Sequence, residues 1–186
     1  MMSLTSEDIE RLFNGSWFND VVMDFGLTYY CNVLNLSSAD SSNMTFTYRQ
    51  CLRRHSLSST SSSRVYIFSS FFYAKLKQVG PDKISRWTES IDIFDYDVII
   101  FPINIPTHWF IVAMLNIAGS LSPSEESGLV LSLDSLNQSR TEVLRNLCQW
   151  LQMEAKRKHR NREFITPRSR MVKVSNPRFM FRSQCH

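Results

Sequence analysis

The sequence predicts an α+β fold, because patterns typical of helices stand before and after a single block of strands. Three short apolar runs bounded by turn residues, at 98–103, 111–115 and 129–133, are typical of buried strands. Amphipathic helical spacing occurs upstream of that block and again downstream of it. This order favours one central sheet flanked by helices over a repeating βαβ architecture.

The N-terminal part of the chain is predicted to form two helices. Residues 5–13 show helical spacing, which Asn14 and Gly15 bring to an end. A second helix is opened by Asn19 or Asp20 as its cap, and its apolar face is predicted to carry Phe18, Val21, Val22, Phe25 and Tyr29. The serine-rich stretch from about 37 to 64 then predicts a surface insertion.

The remaining elements follow in chain order. An aromatic helix is predicted from about 67 to 77, and strands follow at about 97–103, 110–115 and 129–133. Ser139 to Glu142 fits a capping box for a last helix that ends near 156. The inward face of that helix is predicted to carry Val143, Leu144, Leu147 and Leu151.

Length and composition indicate one domain in a reducing compartment. With 186 residues and 43% hydrophobic content, the chain can bury a core without metals or disulfides. Its four cysteines have no paired close spacing, so neither a zinc site nor a disulfide framework is predicted, and no cofactor is expected. No segment has the length of a transmembrane helix, and residues 1–10 are too polar for a signal peptide, so we expect no membrane partner.

The positive charge is concentrated in the last part of the chain. Residues 156–186 contain ten of the 21 Lys and Arg residues but one of the 17 acids. The basic run 156–162 fits a nuclear localisation or nucleic-acid patch, but a charge run of this kind is more often a solvated helix end or loop, and that interpretation is preferred. Because the run contains no aromatic residues for base stacking, a nucleic-acid partner is not expected.

A histidine and an aspartate flank the two strands of a predicted hairpin. His108 precedes the run 111–115, and Asp134 follows the run 129–133. An antiparallel hairpin centred on Leu121 would set His108 directly opposite Asp134. That is the base and the orienting acid of a nucleophilic triad. The alternative is structural: a hydrogen-bonded boundary histidine and a turn-forming aspartate.

The segments around this pair resemble those of a known family in their order and in their residue motifs. The matching blocks are Trp17 to Asp20 with the helix after it, Phe68 to Leu76, Arg86 to Phe94, Val98 to Ile103, and His108-Trp109 with Leu133 to Leu136. Together they are similar to the Ulp/SENP cysteine proteases, which process SUMO and related ubiquitin-like proteins, and more closely to the branch that trims SUMO chains. The resemblance implies a papain-like or adenain-like fold with a central mixed or antiparallel sheet, incomplete at the C-terminus. It divides the chain into a protease domain, 1–178, and a divergent tail, 179–186.

The resemblance also implies roles for individual residues. His108 and Asp134 correspond to the family's catalytic histidine and aspartate. Trp17 and Trp109 correspond to the pair that sandwiches the Gly-Gly tail of SUMO, because a channel between flat rings admits glycine and excludes larger side chains. Asp20 is expected to contact the substrate protein, with helix capping as the alternative. Plain core packing is the alternative for both tryptophans.

The nucleophile is where the sequence departs from the family pattern. The family places its cysteine in an Asp-Cys-Gly motif with a glutamine upstream, whereas Cys185 is preceded by Gln184 and followed by the final His186. No helix can follow Cys185 to lower the pKa of its thiol. Two interpretations stay open: Cys185 is the nucleophile, or the true motif is absent from this chain and Cys185 is a coincidence.

These observations predict a SUMO-specific thiol protease that cleaves after the C-terminal Gly-Gly, either active or inactive in this form. Its expected partner is SUMO or a SUMO-conjugated protein. The alternative is a non-catalytic SUMO-binding pseudoprotease, or a truncated fragment. The family resemblance and the basic run together predict a nuclear location, with the cytoplasm as a second compartment.

Overall fold

A computed structural model describes residues 4–37, 64–106, 108–122 and 127–173. The described chain contains one five-stranded sheet whose spatial order follows the sequence, β1-β2-β3-β4-β5. The strands are β1 (Val65–Ile67), β2 (Val98–Ile105), β3 (His108–Leu115), β4 (Leu129–Asp134) and β5 (Arg168–Lys173). The helices are α1 (Ser6–Phe13), α2 (Asp20–Ser37), α3 (Phe71–Val79) and α4 (Thr141–Lys158), and short 3-10 turns connect several elements.

The sheet is mixed, with an antiparallel centre and parallel edges. Strands β2, β3 and β4 pair antiparallel, whereas β1 joins β2 and β5 joins β4 in parallel. A parallel neighbour requires a crossover connection, and α4 supplies it between β4 and β5. The predicted α+β class, with helices flanking a mixed sheet, is therefore confirmed.

The main core lies on one face of the sheet, where α3 and α4 pack. Even-numbered side chains of β3, such as Phe110, Val112 and Met114, belong to this core together with Val130 of β4. The inward face predicted for α4 is confirmed, since Val143, Leu147 and Leu151 are buried and Leu144 packs against them. A smaller cluster on the opposite face contains Val98, Leu115 and Leu131.

An aromatic group joins the sheet to both covering helices. Trp150 of α4 is fully buried and meets the rings of Phe68, Phe72 and Phe101 edge-on, with centroids 5.0 to 5.7 Å away. These three partners come from the segment after β1, from α3 and from β2. Trp150 is thus a packing residue. Trp87 packs its edge against Phe72 but stays 38% exposed.

Hydrogen bonds between side chains join the two N-terminal helices. Thr5 and Asp8 form a capping box at the start of α1, and Asn14 and Gly15 end the helix, with Gly15 in the left-handed region at φ 66°. Asn19 caps α2, since its Oδ1 accepts from the Val22 amide, while its Nδ2 donates to Asp8 across 2.7 Å. Asn19, rather than Asp20, is therefore the cap.

Several predicted details of these elements are wrong. The apolar face assigned to α2 is only partly buried, because Val22 is buried whereas Val21 and Tyr29 are exposed. The predicted aromatic helix begins at Phe71, since residues 65–67 instead form β1 beside β2. Strand β5 was not predicted at all. The predicted insertion at 37–64 lies outside the described residues except for its ends.

The start of α4 also differs from its prediction. Arg140 occupies the N-cap position and provides no side-chain cap, while the Ser139 hydroxyl contacts Thr141 Oγ1 instead of a main-chain amide. The capping box predicted over Ser139 to Glu142 is therefore wrong. A tertiary contact of the Arg140 side chain accounts for the difference, and it belongs to the candidate site.

Candidate active site

The structure brings His108 and Asp134 together, as the hairpin argument predicts. Nε2 of His108 lies 2.6 Å from Oδ1 of Asp134. The register is nevertheless shifted from the prediction, because Leu115 pairs with Leu129 and the hairpin is centred on Ser122. Continuing this register would set His108 opposite residue 136. The two side chains meet diagonally, and a shift of two residues leaves them on the same face of the sheet.

Asp134 ends β4 and is fully buried, with 0% of its side chain exposed. Its Oδ1 also accepts a hydrogen bond from the Leu136 amide at 2.9 Å, which is the pattern of an Asx turn. The main-chain carbonyl of Asp134 accepts from the Asn137 amide, and Asn137 takes a left-handed conformation at φ 52°. Asp134 is therefore a turn-former and a histidine partner at once.

Arg140 is a cationic partner of Asp134 that the sequence interpretation missed. Its Nε donates to Oδ2 of Asp134 at 2.7 Å, and its side chain is 11% exposed. Burial alone would raise the pKa of Asp134, but hydrogen bonds from the Leu136 amide, His108 and Arg140, together with the guanidinium charge, hold that pKa below its ordinary range. The available signal was an arginine six residues after the acid, at a helix start where arginine is a poor cap.

The imidazole is held at the edge of the core. His108 begins β3, its side chain is 13% exposed, and its ring stacks on Phe110 at 6.3 Å between centroids. Because Nε2 faces the carboxylate, Nδ1 is the nitrogen that can exchange a proton with a reacting group. The arrangement supplies a positioned base with an ionised orienting acid behind it.

The residues assigned to substrate binding lie at the beginning of β3 and around the start of α2. Strand alternation turns Trp109 to the face opposite His108. Its indole Nε1 donates to the carbonyl of Phe18 at 3.0 Å, which fixes the residue after Trp17 against the start of β3. Trp17 is 67% exposed. Asp20 occupies the first turn of α2. Their contacts with a substrate stay predictions.

The described cysteines do not resemble activated nucleophiles. Burial raises the pKa of Cys31 on α2 and of Cys148 on α4, so each thiol is less ionised than usual at neutral pH. Cys185 and Cys51 lie outside the described residues. The part of the chain that the structure describes contains no cluster of three or more His, Cys, Asp or Glu side chains suited to a metal ion. Within the same ranges, no helix is both long and apolar enough to cross a bilayer.

Comparisons with known proteins agree on one family. The model of the Ulp1 protease family C-terminal catalytic domain matches residues 37–178. Sentrin-specific protease 2 of Mus musculus is 28% identical over 157 residues, which cover 84% of this chain and 21% of the relative. Ubiquitin-like-specific protease 2 of Saccharomyces cerevisiae is 26% identical over 87% of this chain and 14% of its own length. The chain thus spans about a fifth or less of these relatives.

Solved structures show the same fold. A crystal structure of a de-sumoylating protease superposes with a TM-score of 0.69 at 25% identity, over 91% of this chain and 58% of that one. The Ulp1-like SUMO protease catalytic domain of Chaetomium thermophilum superposes with a TM-score of 0.60 at 17% identity, over 90% and 58% of the two chains. These are papain-like cysteine protease folds. The chain therefore belongs to the Ulp1 protease family, through that family's C-terminal catalytic domain.

Proposed function

We propose that this chain is a thiol peptidase domain that hydrolyses the bond after the C-terminal Gly-Gly of a SUMO-type ubiquitin-like protein. The observation that carries the proposal is the 2.6 Å contact between His108 and the fully buried Asp134 in a domain of this family. The substrate class is supported by the names of the relatives, sentrin-specific proteases and a de-sumoylating protease.

The chemistry assigned to the dyad is acyl transfer to water. A cysteine thiolate attacks the carbonyl carbon of the terminal glycine, and the bond to the leaving amine breaks as the imidazolium of His108 protonates that nitrogen. His108 then removes a proton from water, which attacks the thioester and releases the glycine carboxylate and the thiol. Asp134 holds the imidazole in one tautomer throughout and stabilises its charged form.

Cys185 is the nucleophile that we propose. The two described cysteines are disfavoured by the raised pKa of their thiols, and Cys185 is the one cysteine near the point where the family carries its own. The test is covalent labelling with a SUMO probe that bears a C-terminal electrophile. Labelling is expected to disappear in Cys185→Ala and His108→Ala and to persist in Cys148→Ala. Labelling that survives Cys185→Ala would rule this cysteine out.

The second candidate function is binding of SUMO without cleavage. The observation that favours it is the hydrogen bond from Trp109 to the Phe18 carbonyl, which sets the exposed Trp17 beside the start of β3. This arrangement does not depend on a thiol. Calorimetric titration of SUMO should give binding that Trp17→Ala and Trp109→Ala weaken, while Trp87→Ala serves as the matched control. Binding without any probe labelling of the wild type would favour this candidate over the peptidase.

We also propose a nuclear location, for which the basic run 156–162 gives the physical support. Part of this run is engaged in the fold, since Arg157 pairs with Glu154 and Lys158 donates to the Glu89 carbonyl. The remaining cations are the better candidates for import. Replacing Lys156, Arg160 and Arg162 by Gln in a fluorescent fusion is expected to lower the nuclear fraction, and an unchanged distribution would contradict the proposal.

A further inference from the structure

The carboxylate of Asp134 divides its two oxygens between different partners. Oδ1 faces His108 and the Leu136 amide, whereas Oδ2 accepts from Arg140 Nε at 2.7 Å. A carboxylate with hydrogen bonds on one oxygen only can still rock about its Cβ–Cγ bond, so the direction in which that oxygen faces the imidazole varies. Contacts on both oxygens remove that freedom.

The local helix does not explain the position of Arg140. An arginine at an N-cap has no acceptor atom for the first amides of the helix, and its charge lies at the positive end of the macrodipole of α4. Both effects disfavour arginine there. Its contact with Asp134 is the interaction that compensates for them, because a fully buried carboxylate needs a charged partner.

Phe110 keeps the arginine and the histidine in one arrangement. The guanidinium carbon of Arg140 lies 4.8 Å from the centre of the Phe110 ring, and the same residue stacks against His108. Nε of Arg140 is thereby aimed at Oδ2, while Nη2 is buried without a hydrogen-bond partner among the described residues. The described titratable or cationic side chains that contact Asp134 are His108 and Arg140, and Lys173 is its main-chain partner in β5.

We propose that Arg140 is a positioning residue of the dyad: it anchors Oδ2 of Asp134 and so presents Oδ1 to the imidazole of His108. The catalytic meaning of this role rests on the proposed function, but the contact itself does not. A planar guanidinium fixes the direction of a hydrogen bond, whereas an ammonium supplies mainly charge. Arg140→Lys and Arg140→Gln therefore separate the geometric effect from the electrostatic one.

The experiment uses nuclear magnetic resonance on the isotope-labelled full chain. Two signals are followed with pH: the ring proton shared between His108 and Asp134, and the side-chain carboxyl carbon of Asp134. In Arg140→Gln we expect the ring proton to broaden through exchange with water and the pKa of Asp134 to rise toward its ordinary value, since the cation is lost. In Arg140→Lys the pKa should stay low while the ring proton still broadens. Arg145→Gln, which removes an exposed charge from the same helix, is the matched control and should change neither signal.

Two outcomes would overturn the proposal. One is an unchanged ring proton in both Arg140 variants, which would show that Asp134 is oriented without the arginine. The other is an equal effect of Arg145→Gln, which would reduce the role to general charge. If Arg140→Gln does not fold, Arg140→Lys alone decides, because the ring proton is predicted to change there too. Neither signal requires turnover, so a chain that fails to cleave SUMO would contradict the proposed function and leave this test intact.

Discussion

At the residue scale, Asp134 supports the main chain and the imidazole with the same oxygen. Oδ1 receives both the Leu136 amide and His108, and Oδ2 receives Arg140, so the buried charge has three donors. Removing one member of a buried ion pair leaves its partner desolvated without compensation. The energetic weight of this position therefore extends beyond any role in catalysis.

Asp134→Asn is expected to lower the free energy of unfolding by about 3 kcal/mol, because Arg140 is left buried without a counter-charge. Urea unfolding at neutral pH measures the loss. The exposed Asp82→Asn is the control and should stay within about 0.5 kcal/mol of the wild type. An equally small loss at position 134 would mean that the pair does not contribute to stability.

The same residue predicts a pH dependence. The folded-state pKa of Asp134 is lowered, so its contribution to stability is complete above the ordinary aspartate pKa of about 3.9 and is lost as the pH falls through the folded-state value. Thermal unfolding of the wild type should thus show an acid-sensitive component. The difference between wild type and Asp134→Asn should shrink below about pH 4, and a constant difference across this range would contradict the assignment.

At the scale of elements, the segment between α1 and α2, residues 14–19, holds these two helices together. Asn19 caps α2 and donates to Asp8, which belongs to the capping box of α1. The hydrogen bond from Asn19, with those from Thr5, lowers the pKa of Asp8. Trp17 and Phe18 immediately precede this residue, so the geometry of the predicted binding segment depends on a helix cap.

Asn19→Ala should lower the free energy of unfolding by about 1 kcal/mol through loss of the cap. It should also weaken the binding of SUMO, because the segment that carries Trp17 loses its tie to α1. Asn19→Ser, which keeps a capping oxygen for the helix but lacks the amide that donates to Asp8, tests the two effects separately. A smaller loss of stability than in Asn19→Ala, with binding weakened as much, is the expected result for Asn19→Ser, and full binding in both variants would contradict it.

Elements that are determined by neighbouring residues were predicted from the sequence, whereas elements that depend on distant contacts were missed. The helix α4 and strands β2 to β4 were predicted because their apolar periodicity is strong and continuous. Strand β5 was missed because Arg168–Lys173 carries three cations and pairs with β4 only after the crossover by α4. The capping box at Ser139 was predicted from the local sequence pattern, whereas the tertiary contact of Arg140 with Asp134 decides the structure there. The dyad itself was predictable because two adjacent strands fix it.

At the scale of the whole molecule, Trp150 is the point where sheet and helices meet. Its ring contacts Phe68, Phe72 and Phe101, and its indole nitrogen is buried without a hydrogen-bond partner among the described residues. The ring thus contributes packing, while the unpaired N–H opposes folding. Size and polarity can be separated here by two substitutions.

Trp150→Ala is expected to lower the free energy of unfolding by about 3–5 kcal/mol, since it leaves a large cavity. Trp150→Phe should lose much less, because it keeps an aromatic ring and removes the unpaired donor. Chemical denaturation of both variants provides the comparison. Equal losses in the two variants would contradict this separation of ring packing from the unpaired N–H.

The Asx turn at Asp134 has a consequence for recognising inactive members of such a family. A chain without a nucleophile would not need an orienting acid, yet in this fold the carboxylate would still be needed to close the turn after β4 and to neutralise Arg140. In a saturation library selected only for soluble expression, substitutions at position 134 should therefore be depleted as strongly as substitutions at a core position. An aspartate at this position is therefore explained by the way the strand ends, and its presence alone does not indicate a working peptidase.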